Sequence, residues 1–255
     1  MIFVGRGALL GRAVTHALSS GHRVDLVVSD DPADDPGAAA AVPHLTTADV
    51  NTVADRLLVR CTDGVVWSIN NRMIFRAPLL SQGLRIYNIH NGLLPQHRGL
   101  PSAAVAFALL RGDPEYGATL HEVDAGVDTG RVLTELRFPL TGDARYHQVL
   151  LRGIRACHQL FQSSVDSVAA GRAPQPPAVR EPGPPGYFGL RALRELSSYA
   201  AHPAYPRATD VGVAAPFVPE LVEALRGGRE RAAATAPRSD FRTIDDSSHN
   251  GVTGR

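Results

Sequence analysis

The sequence predicts an α/β protein built on a mostly parallel sheet, with a small appendage at its C-terminal end. Three observations predict it. Apolar runs of strand length alternate with helix-length segments from the first residue onward, the pattern of βαβ units. Gly5, Gly7 and Gly11 stand where the first strand gives way to the first helix. A proline-rich stretch, 174–185, then separates this alternating part from a shorter one carrying aromatic residues.

Met1 to Val4 reads as a strand that ends at Gly5-Arg6-Gly7, followed by a helix from Ala8 to Leu18 that Ser19-Ser20-Gly21 stops. His22 to Val28 is the next strand, and the acidic, Gly/Pro/Ala-rich segment 30–41 a surface loop. Asn51 to Arg60 reads as a helix, Gly64 to Ile69 as the third strand and Arg85 to His90 as the fourth. Pro101 to Leu110 has proline in its first turn and Gly112 just past its end, the usual punctuation of a helix. Two more strands, Gly117 to Val123 and Arg131 to Phe138, flank a Gly-rich loop, and a long helix from Ala144 to Ala170 closes the domain. The resulting organisation is a main domain over 1–172, a Pro-rich linker over 173–186, a small helical appendage over 187–226 and an unstructured polar tail over 227–255.

Composition excludes several functions. The net charge of +1 gives no field to attract nucleic acid or an anionic membrane. No run approaches the roughly 18 apolar residues a membrane helix needs. Met1 to Val4 enters a strand with no secretory pattern before it, so a cytoplasmic location is expected. Cys61 and Cys157 have neither disulfide nor zinc spacing.

The chemistry concentrates in Tyr87-Asn88-Ile89-His90-Asn91-Gly92-Leu93-Leu94-Pro95 and in Asp124-Ala125-Gly126-Val127-Asp128-Thr129-Gly130. Strand alternation points Asn88 and His90 the same way, and Gly92 and Pro95 turn the chain at the strand end, where α/β sheets bind ligands. Asp128 adds a carboxylate. An amide donor, an imidazole and a charge to hold the imidazole suit attack on a carbonyl. His121 shares a strand face with Thr119 and is either structural or part of the site, and Arg98 either binds a substrate anion or satisfies loop carbonyls. The glycine pattern misses the dinucleotide spacing by one residue, leaving Gly7 as a tight turn or an acceptor contact. A metal site of His90, His121 and Asp128 is disfavoured because Asn88 is a poor ligand, so no metal is expected.

Asn88-x-His90-x-x-Leu93-Leu94-Pro95-x-x-Arg98-Gly99 and Gly117-x-Thr119-x-His121-x-x-Asp124-x-Gly126-x-Asp128-Thr129-Gly130 together resemble the formyltransferases that use 10-formyltetrahydrofolate, which act on glycinamide ribonucleotide, methionyl-tRNA or amino sugars. The resemblance covers about residues 1–170. It implies a Rossmann-like catalytic domain of the formyltransferase type, with Asn88, His90 and Asp128 as the catalytic trio. It further implies a folate pocket at Arg72, Met73, Ile74 and Phe75 with Leu93, Val123, Asp124 and Val127, and acceptor contacts at Gly7, Arg98 and His121. The expected reaction is formyl transfer to a primary amine of a small molecule. Alternatives are a formyltetrahydrofolate hydrolase, a formimidoyltransferase and a non-enzymatic folate-binding protein. This chain departs from the family in two ways: Asn91-Gly92 replaces the usual Pro-Ser, and no segment has the length and basic charge of a tRNA-binding barrel. A tRNA acceptor is therefore disfavoured. Tyr187, Phe188, Tyr199 and Tyr205 are candidates either for a homodimer surface or for packing back on the first domain.

Overall fold

The structure is a computed structural model and describes residues 1–34, 42–172, 174 and 183–235. Its centre is a seven-stranded sheet. The strands are β1 (Ile2–Gly5), β2 (Leu26–Ser29), β3 (His44–Thr46), β4 (Val65–Ile69), β5 (Arg85–His90), then β7 (Glu115–Glu122) and β8 (Val132–Pro139). A two-residue strand, β6 (Arg98–Gly99), lies between β5 and β7 in the chain and pairs elsewhere. The order across the main sheet is β3-β2-β1-β4-β5-β7-β8. From β3 to β5 every pairing is parallel, whereas β7 runs antiparallel to both β5 and β8.

Alternation within the strands builds two apolar layers. Met1 just before β1, Phe3 of β1 and Trp67 of β4 join a large core on one face. There they meet α1 (Gly7–Ser19), α4 (Pro101–Arg111) and α5 (Tyr146–Ala169). Ile2, Val4 and Val66 point the other way, to a smaller core under α2 (Ala54–Arg60) and α3 (Ala77–Leu80). Residues with both faces covered read as continuous apolar runs, which is why β1 and β4 are legible without alternation in polarity. Gly112 ends α4 at φ +68, the left-handed cap expected of it.

The C-terminal segment joins the larger core. It contributes β9 (Tyr187–Phe188), α6 (Leu190–Glu195), α7 (Tyr205–Ala208), α8 (Pro219–Thr235) and 3-10 turns at Leu196–Tyr199 and Gly212–Phe217. Phe188 stacks on Phe107 of α4 at 5.1 Å, and Tyr199 meets the same ring edge-on at 5.4 Å. Tyr187, by contrast, is 58% exposed. β9 pairs in parallel with β6, Arg98 opposite Tyr187 and Gly99 opposite Phe188. Part of the stretch expected to be unstructured is helical, since α8 runs on to Thr235, while 236–255 and most of the Pro-rich stretch lie outside the described residues. No helix among the described residues is long and apolar enough to cross a membrane.

Candidate active site

The sheet changes direction at β1. The chain moves outward through β2 and β3, then returns to the other side of β1 at β4. Ligands of open α/β sheets bind at the carboxyl ends of strands beside such a switch. Gly7 opens α1 there, with the Asn70 amide 3.8 Å from where its Cβ would stand, and the loop carrying Arg72 to Phe75 follows β4. Asn88 and His90 occupy the end of the next strand, β5.

Register decides what surrounds them. In the antiparallel ladder Asn88 lies opposite His121, and His90 opposite Thr119. Asn88 Nδ2 is 3.0 Å from His121 Nε2. The other nitrogen of His121, Nδ1, lies 2.8 Å from the Glu122 carbonyl, which can only accept. In the neutral ring the hydrogen is therefore on Nδ1, and Nε2 accepts from the Asn88 amide. That bond turns the Asn88 NH2 toward the cluster and uses one of its two hydrogens. Thr119 donates to the Gly92 carbonyl at 2.8 Å and accepts from the Leu94 amide at 3.2 Å, pinning the turn after His90 to β7.

Asp128 reaches the same point from the loop between β7 and β8. Its Oδ2 lies 3.6 Å from His90 Nδ1 and its Oδ1 3.6 Å from His121 Nε2. The Gly99 amide donates to Oδ2 at 2.8 Å. The residue sits at φ +53, a left-handed conformation that Asp tolerates better than most side chains do. Arg98 holds the loop in place, donating from Nε at 3.0 Å and Nη2 at 2.8 Å to the Val127 carbonyl. Asp124 accepts from the Gly126 amide at 3.0 Å and from the Thr129 hydroxyl, closing the other end.

Two electrostatic effects compete here. Burial pushes the His90 imidazole below its ordinary value, against the pull of Asp128 and the His97 carbonyl. The resting ring is neutral. Burial pushes Asp128 up, but the charge His90 can carry and the hydrogen bond from the Gly99 amide outweigh it, holding the carboxyl at about 2. A neutral base beside a fixed anion is poised to take a proton and be stabilised as a cation.

The remaining residues named from sequence lie around this cluster in different states. Leu93 is buried against β7, its Cδ2 2.8 Å from where a Gly117 Cβ would stand. Phe75 belongs to the smaller core, with Met73 and Val123 packed on it. Ile74 is 52% exposed, and Arg72 points outward to Glu220 of α8 at 3.5 Å. Sequence reasoning gave no role to His97, which is buried and bound to Asp113 at 2.9 Å. Its signal was a titratable ring seven residues after His90, close behind Leu93-Leu94-Pro95. A groove of about 560 Å3 between β8 and α5, lined by Arg137, Arg152 and Arg155, shares no residue with the cluster.

Known proteins share sequence and fold with this chain. Residues 47–165 match the family model described as formyl transferase. A methionyl-tRNA formyltransferase of Roseiflexus sp. (strain RS-1) is 35% identical over 132 residues, 51% of this chain, and the chain spans only 40% of that relative's length. Glycinamide ribonucleotide transformylase 1 of Symbiobacterium toebii superposes with a TM-score of 0.60 at 27% identity, over 67% of this chain and 87% of that one. An N-formyltransferase of Helicobacter canadensis shares the fold, with a TM-score of 0.62 at 14% identity over 81% of this chain and 79% of that one. Residues 47–165 are thus similar to formyl transferases in sequence, and the fold is one that solved formyltransferases share.

Proposed function

We propose that the protein transfers a formyl group from 10-formyltetrahydrofolate to a primary amine of a small acceptor, such as an amino sugar, an amino acid or a specialised-metabolite intermediate. The observation that carries this reading is the convergence of Asn88, His90 and Asp128: His90 Nδ1 and His121 Nε2 each lie 3.6 Å from the Asp128 carboxylate, and the Asn88 amide lies 3.0 Å from that same His121 nitrogen. Two solved relatives of the fold support the substrate classes. The Helicobacter canadensis enzyme was crystallised with folinic acid and dTDP-3-aminofucose, and the sugar 3N-formyltransferase WlaRD with dTDP and 5-N-formyl-THF.

In this reaction the amine nitrogen bonds to the formyl carbon and the bond from that carbon to the folate nitrogen breaks. The amine loses a proton and the folate nitrogen gains one. The Asn88 hydrogen left over from His121 donates to the formyl oxygen as it becomes negative, a contact worth about 10²–10³ in rate. His90 carries the proton, worth roughly 10²–10⁴, and Asp128 stabilises it while charged. Arg98 and His121 act one step back, through the Val127 carbonyl and the Asn88 amide. Exposed Ile74, in the loop that follows β4, suits the flat apolar ring of a pterin.

The test is incubation with 10-formyltetrahydrofolate and a panel of nucleotide-linked amino sugars, amino acids and short peptides. Amine-dependent appearance of tetrahydrofolate is expected. Formate released at the same rate without any amine would make the protein a hydrolase, and folate binding without turnover would make it a binding protein.

A further inference from the structure

We infer that Gly92 and His97 are positioning residues that hold the His90 ring in its Nε2–H form, making Nδ1, on the Asp128 side, the atom that takes up a proton. His90 Nε2 lies 2.7 Å from the His97 carbonyl oxygen. That oxygen can only accept, so Nε2 carries the hydrogen. In the neutral ring Nδ1 is bare and faces Asp128 at 3.6 Å.

The carbonyl is fixed by the side chain of its own residue. His97 Nδ1 accepts from the Leu93 amide at 3.0 Å, and His97 Nε2 donates to Asp113 at 2.9 Å. The ring is 1% exposed with both nitrogens satisfied, and the His97 amide closes the same turn on the Leu93 carbonyl at 2.8 Å. Arg111 holds Asp113 in turn, its Nε donating at 3.2 Å. The turn is thus tied from the main chain on one side and from α4 on the other.

Gly92 supplies the space. A Cβ there would lie 2.7 Å from His90 Nε2 and 2.8 Å from His97 Cβ, closer than real side chains approach. The Asn91-Gly92 departure therefore has a physical reason, because a side chain at 92 would push the imidazole off the His97 carbonyl. With the ring held this way, a proton leaving the attacking amine forms its new bond at Nδ1. The resulting cation then has an acceptor at each nitrogen, the His97 carbonyl at Nε2 and Asp128 at Nδ1. The use of that proton rests on the formyl-transfer reading, but the hydrogen placement does not.

The experiment is long-range proton–nitrogen correlation of the full chain labelled with 15N-histidine, with His90 identified by its loss in His90→Gln. Wild type is expected to show His90 as Nε2–H. Gly92→Ala and His97→Phe are expected to mix the two forms and to speed solvent exchange of that hydrogen about tenfold, the size of one net hydrogen bond. His97→Asn, whose Oδ1 stands in for Nδ1, is expected to restore it. A wild-type Nδ1–H form, or an unchanged His90 signal in Gly92→Ala, would overturn the inference. Should Gly92→Ala give no cooperative melt, identical His90 spectra for His97→Phe and His97→Asn would overturn it instead. Because the spectra need no substrate, amine-dependent transfer with the wrong hydrogen placement removes only this inference. Correct placement without transfer removes only the proposed function.

Discussion

The turn from Asn88 to Gly99 and the loop from Arg72 to Phe75 involve the ends of neighbouring parallel strands, β5 and β4, and are built on opposite terms. In the turn, His90 is 5% and His97 1% exposed, and their ring nitrogens face a backbone group or a carboxylate. In the loop, Ile74 is half exposed and Arg72 reaches outward to Glu220 at 3.5 Å. Groups that move a proton must hold their geometry to a fraction of an ångström, whereas an apolar wall for a flat ring tolerates adjustment. The contrast separates rate from affinity and can be tested on those terms.

The largest effect should come from the rigid side. His90→Ala is expected to lower kcat about 10²–10⁴-fold with the circular dichroism spectrum unchanged. Wild-type turnover in this variant would remove the ring from the chemistry. Asp128→Asn comes next. Asn accepts the left-handed φ of +53, so the change removes charge and little else. A loss of roughly tenfold to a hundredfold in kcat, with KM for the folate within about twofold, is expected from an ion pair that shifts proton affinity by one to two pKa units.

Acid should then separate the two kinds of buried group. Burial lowers His90 and His97, so both favour the folded state while neutral, and their contribution is lost as pH falls below about 6.5. Asp128, held at about 2 against an ordinary value of 3.8, contributes stability above pH 4 that disappears as pH falls toward 2. That contribution is about 2 kcal/mol. Urea midpoints measured from pH 7.5 to 2.5 should fall in two stages, and Asp128→Asn should remove the lower one. The smallest effect belongs to the loop. Ile74→Ala should raise KM for 10-formyltetrahydrofolate by less than about tenfold and leave kcat alone. A large loss of kcat there would erase the distinction.

Much of this was legible in the sequence because local rules agree with the fold. β5 was expected at Arg85 to His90 and is found there, since apolar Ile86, Tyr87 and Ile89 precede a Gly-rich turn. The antiparallel register was not legible. It places His121 against Asn88, and nothing within either strand specifies that pairing. β3 was missed because its three residues, His44-Leu45-Thr46, form a short edge with little apolar signal. α8 extends to Thr235 through Arg-Glu-Arg-Ala-Ala-Ala, strong helix formers whose polar and small character had suggested an unstructured tail. His97 needed three dimensions, because its partner Asp113 comes from beyond α4.

The short ladder between β6 and β9 has a consequence for how this molecule can be divided. Gly99 offers its amide to Asp128, and the space above its α-carbon is filled by the Phe188 carbonyl, 2.7 Å from where a side chain would begin. A gene cut before Tyr187 would still encode every reactive group and would lose the surface on which one of them is propped. Exchanging C-terminal segments among relatives would thus alter the reactive centre, and chimaeras are better joined after Phe188 than in the proline-rich stretch before it.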